Sequence, residues 1–149
     1  MTVYTPGPEL VAAAWLGTLN LPLVGEISGN RLPVNKWRGV VFLQVSSMAG
    51  RTDPYDSVRN SYVQVDAWGA PGKLGETNSI AEEIYNATFF SGSYGHLPIK
   101  VGNTARRPVN LSGVTVFSAP RALRDEKDGL ARTTMILAMV YNIENLSRS

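Results

Sequence analysis

The sequence predicts an α+β fold, with a mainly antiparallel sheet packed against two amphipathic helices. Three observations carry that expectation. Apolar residues recur at helical spacing in two stretches, each introduced by helix-start or turn chemistry. Several runs rich in Val, Ile, Phe and Tyr have the length and composition of strands. Gly and Pro clusters separate the runs, and no Pro/Gly/Ser-rich linker divides the chain, so one domain over residues 1–149 is expected.

Taken in order, Gly7-Pro8-Glu9 opens the first helix. Proline at a first helical position gives up an N–H that would be unpaired anyway, and Glu9 complements the helix dipole. Leu10, Val11, Ala14, Trp15 and Thr18 continue at helical spacing until Leu21-Pro22 ends the helix. Residues 23–37 carry Gly25, Gly29 and Pro33 and predict an irregular or short-strand connection. Residues 40–45 form a continuous β-branched and aromatic run, expected as a central strand covered on both faces. A polar loop over residues 51–60 leads to residues 61–68, where Val63, Val65 and Ala67 alternate with Tyr62, Gln64, Asp66 and Trp68, suggesting an extended hairpin. After the turn Gly69-Ala70-Pro71-Gly72, a second helix carries Ile80, Ala81, Ile84 and Ala87, with Thr77 or Asn78 as the expected cap. Residues 91–110 predict a long loop with a brief strand at 97–101. Residues 113–118 and 131–143 predict two final strands around a charged turn at 121–129. The expected core includes Trp15, Val41, Leu43, Val63, Val65, Ile84, Val116, Ile136 and Val140.

Composition narrows the function classes. Charged residues are 17% of the chain, below the ~25% of an average soluble protein. Such a charge-poor surface suits a protein that works docked to others. Fourteen Lys plus Arg against twelve Asp plus Glu leave +2, too small a charge to argue for nucleic acid by itself. The absence of cysteine excludes disulfides, thiolate metal sites and cysteine nucleophiles. The first residues lack the pattern of a secretion signal and no apolar run is long enough to span a bilayer, which predicts a protein kept inside the cell.

No catalytic constellation emerges. His96, the single histidine, sits in a glycine-rich loop, and no serine lies in a Gly-x-Ser-x-Gly turn. Asp53, Asp56 and Asp66 do not have calcium-loop spacing and are expected as turn and strand-surface residues. Gly69-Ala70-Pro71-Gly72-Lys73 lacks the first glycine of a phosphate loop, and Leu74 follows its lysine. Basic residues gather at Lys100, Arg106 and Arg107, and again at Arg121, Arg124 and Lys127, where Asp125, Glu126 and Asp128 largely cancel them.

The run Val40-Val41-Phe42-Leu43-Gln44-Val45, the Asp-containing loop, and Val63-Gln64-Val65-Asp66-Ala67-Trp68-Gly69 together resemble the tail terminator, or tail-completion, proteins of long-tailed bacteriophages. The small-residue turn and the helix Ser79-Ile80-Ala81-Glu82-Glu83-Ile84-Tyr85-Asn86-Ala87 extend the resemblance, which covers most of the chain. Residues 91–110 and 23–37 depart from the pattern.

This resemblance implies a structural virion protein rather than an enzyme, without a cofactor. It implies a tail-terminator-like domain forming a hexameric ring that caps the tail tube and meets the head-tail connector or stopper. The protein would be assembled in the host bacterial cytoplasm and located in the tail or neck, with no membrane partner. Within that reading, Arg51, Asp53, Tyr55, Asp56 and Arg59 form a partner-docking loop, and Lys100, Arg106 and Arg107 face genomic DNA in the lumen through contacts independent of sequence. The alternatives are another neck or tail subunit, such as a head-tail stopper or tail tube protein, and a small-ligand or nucleic-acid binding module.

Overall fold

The computed structural model describes residues 7–29, 39–48, 58–89, 97–99, 109–124 and 129–143. The first helix, α1 (Pro8–Thr18), starts behind an extended Gly7 with proline in its first turn. It stops ahead of Leu21-Pro22, where the Thr18 hydroxyl donates to the Trp15 carbonyl at 2.6 Å. That bond occupies one of the carbonyls a helix end leaves unpaired. The buried stripe is Val11, Ala12, Trp15 and Leu16, one step around from the expected one, and Leu10 is 44% exposed while Thr18 faces solvent. Because α1 is apolar on nearly every side, spacing alone does not select the face that the sheet covers.

The connection after α1 contains β1 (Val24–Ser28), which pairs in parallel with β2 (Val41–Ser47). Leu23 enters β1 at φ 70°, and its carbonyl accepts the N–H groups of Val40 and Val41, each at 2.9 Å. Gly39 closes this junction at φ 75°, where a Cβ would lie 2.8 Å from both the Gly25 nitrogen and the Leu23 oxygen. Gly39→Ala therefore combines a left-handed alanine with a backbone clash, for an expected loss of about 2 kcal/mol in denaturant unfolding. An unchanged midpoint would show that the junction opens without cost.

Val41, Phe42 and Leu43 are all buried, so β2 is covered on both faces as expected. It forms the predicted antiparallel hairpin with β3 (Val58–Gly69). A turn follows, with Gly72 at φ 88° and the Lys73 N–H donating to the Ala70 carbonyl at 3.0 Å. The second helix, α2 (Leu74–Thr88), begins earlier than the sequence suggested, with Lys73 at the N-cap. Thr77 and Asn78 are therefore helical rather than caps. The Thr77 hydroxyl is buried 2.9 Å from that of Thr133, which donates to Asn78 Oδ1 at 2.7 Å. These side chains serve to join the helix to the sheet.

The chain continues through β4 (Leu97–Ile99), β5 (Val109–Arg124) and β6 (Ala131–Ile143), completing a sheet of order β1-β2-β3-β6-β5-β4. Among the described residues, only the β1–β2 pairing is parallel. The strand β5 is longer than predicted, taking up Arg121 to Arg124 from the expected charged turn and absorbing register shifts along the way. From Ala131 to Asn142, β6 is paired on one side with β3 and on the other with β5.

Both helices cover one face of the sheet, α1 over β1 to β3 and α2 over β3, β5 and β6. The core between them includes Trp15, Val41, Leu43, Val63, Val65, Ile84, Met135, Leu137 and Met139, with Val116 packed half-buried against it. Ile136 and Val140 point to the opposite face and are half-buried there, contrary to expectation. The β6 segment offers apolar residues to both faces, so alternation does not decide which set turns inward.

Candidate functional site

The face of the sheet away from the helices holds the most organised polar chemistry. Alternation along β3 brings Tyr62, Gln64, Asp66 and Trp68 to this face. Cross-strand register sets Gln44 of β2 opposite Asp66 and Arg132 of β6 opposite Trp68. The Asp66 side chain is 3% exposed, so the expected strand-surface carboxylate is buried. Arg132 Nε and Nη2 each lie 3.2 Å from Asp66 Oδ1. Gln64 Nε2 donates to the same carboxylate at 3.2 and 3.1 Å.

The Arg132 guanidinium also lies 4.8 Å from the Trp68 ring centroid, and Trp68 Nε1 donates to Gln44 Oε1 at 3.0 Å. This cluster links β2, β3 and β6. Its Trp68–Gln44 hydrogen bond and Arg132–Asp66 ion pair cross from strand to strand, so the cluster locks the three strands in register. Phe42, Trp68 and Leu130 form a small apolar cluster beside it.

Further along this face, the Tyr62 and Phe117 ring centroids are 4.8 Å apart at 51°, and Phe117 is 65% exposed. On the helix side, Phe89 at the end of α2 meets Tyr85 edge-on at 5.1 Å and is 67% exposed. Sequence reasoning missed both phenylalanines. The signal available for Phe89 was its place beyond the last apolar position of the α2 repeat. Phe117 sits where β5 changes register between Val116 and Ser118, which simple alternation does not reveal.

Of the docking residues inferred from sequence, Arg59 falls within β3, opposite Tyr141 in register. Arg51, Asp53, Tyr55 and Asp56 lie outside the described residues, as do Lys100, Arg106, Arg107 and His96. Among the described residues, no group of three or more His, Cys, Asp or Glu is placed to hold a metal ion, and no helix is long and apolar enough to cross a membrane.

The architecture has a counterpart among solved structures. The chain is similar to one in the virion of a native gene transfer agent (GTA) particle, with a TM-score of 0.52 and 14% identity, over 90% of this chain and 89% of that chain. The two share a fold. No protein-family model matches this chain, and no curated protein matches it.

Proposed function

We propose that this chain is a phage-type structural virion protein, a tail terminator whose copies close into a hexameric ring on the end of the tail tube and meet the head-tail connector. The observation that carries this reading is the likeness, over 90% of the chain, to a chain of a GTA virion. The sequence resemblance to tail terminators supports the finer assignment, because the β3, turn and α2 segment that bears it is one continuous structural unit. In this reading the protein is not an enzyme and needs no cofactor, and its products are contacts.

The same observation suits a tail tube or stopper subunit, and assembly behaviour separates these. The mass of the purified protein in solution, measured over a range of concentrations alongside negative-stain images, is expected to give closed rings of one size. Open-ended tubes would assign the chain to the tail tube instead. A species that stays monomeric alone and with tube protein would remove the terminator reading.

A further inference from the structure

Among the described residues, Phe89 and Phe117 are the most exposed large apolar side chains, and they lie on opposite sides of the sheet. Each is backed by a tyrosine, so each ring is held in place at little further entropic cost when a partner covers it. Each also has a charged companion of opposite sign. Glu82, Asn86 and Phe89 follow one exposed stripe of α2, with Glu82 about 10 Å along the axis from Phe89. No basic residue occupies the last turn of that helix. On β5, Arg121 is exposed, and its register partner Thr134 belongs to the helix-free face that carries Phe117. Two register shifts against β6 fall between Val116 and Arg121, so Phe117 and Arg121 lie closer than the roughly 13 Å of four regular strand residues.

We infer that Phe117 and Arg121 of one copy dock onto Phe89 and Glu82 of a second copy of this chain, forming the repeated contact of the ring. This rests on the ring reading proposed above. A closed ring is built from a heterologous contact, in which two different patches of the same chain meet. The two patches fit that requirement in two respects: they occupy opposite sides of the sheet, and they are complementary in sign. Pairing either patch with itself would offer its charge no partner of opposite sign.

The chain contains no cysteine, so introduced thiols report directly on this contact. The double variant Phe89→Cys/Phe117→Cys, assembled at a concentration raised to offset the two lost aromatic rings and then oxidised, is expected to give a ladder of covalent oligomers ending at the ring, while each single variant stays uncrosslinked. Phe117→Ala should raise the concentration for half-assembly by roughly 30-fold, as for a buried aromatic anchor. Glu82→Arg and Arg121→Glu should each weaken assembly, and their combination should restore it. Rings of native mass without crosslinks in the double variant would overturn this contact and leave the ring reading intact. Covalent dimers from Phe117→Cys alone would overturn it in favour of a self-paired patch. An unsubstituted chain that forms no rings would remove the ring reading itself.

Discussion

Trp15→Ala is expected to destabilise the protein by about 3–5 kcal/mol, the range for removing a large aromatic side chain from a packed core. Trp15 is fully buried and is the largest side chain in the cluster between α1 and the sheet. Its loss removes the main apolar contact holding α1 over β2 and β3, and the cavity lies between two rigid elements that collapse poorly onto it. A domain of this size is stable by roughly 5–15 kcal/mol, so the variant should sit close to the unfolding threshold at 25 °C. Urea unfolding followed by circular dichroism measures this as a lower midpoint at an unchanged slope. Leu10→Ala is the control. Leu10 shares the helix but not its buried stripe, and its substitution should change stability by about 0.5 kcal/mol or less. If Leu10→Ala proved as costly as Trp15→Ala, the stripe assigned to α1 would be wrong.

That pair of substitutions also marks where sequence reasoning stops. Proline punctuation located both ends of α1, because Pro8 and Pro22 act through local backbone geometry that any context preserves. Which face of α1 is buried depends on the sheet and could not be read from Leu-Val-Ala-Ala-Ala-Trp-Leu. The same division holds for β6. Its extent, residues 131–143, was legible from composition, but its centrality and inward face depend on pairing with β3 and β5, which are distant in sequence. Asp66 shows the limit most clearly. In sequence it is one polar position in an alternating strand, and nothing nearby indicates that Arg132 reaches it from the other half of the chain. The candidate contact surface was hidden for the same reason, since Phe89 and Phe117 become informative only when their exposure and their positions on opposite faces are known.

Arg132→Met is expected to cost about 3 kcal/mol, toward the low end of what breaking a buried ion pair costs. The Arg132 side chain is 29% exposed, so water screens part of its charge. Asp66 is not so placed, and with Arg132 gone its carboxylate would remain buried with Gln64 as the donor in reach. Most of the expected loss is therefore the penalty of an under-paired charge rather than the net worth of the pair. That distinction is testable with Asp66→Asn/Arg132→Met, which removes the charge, keeps an acceptor for Gln64 Nε2, and leaves an apolar side chain against the Trp68 ring. The double variant should recover most of the stability lost in Arg132→Met, to within about 1 kcal/mol of the original protein. If the double variant were as unstable as the single one, the guanidinium would owe its importance to its packing on Trp68, and the carboxylate would contribute little. Either result bears on assembly, because the cluster holds β3 and β6 in the register that brings Tyr62 beneath Phe117.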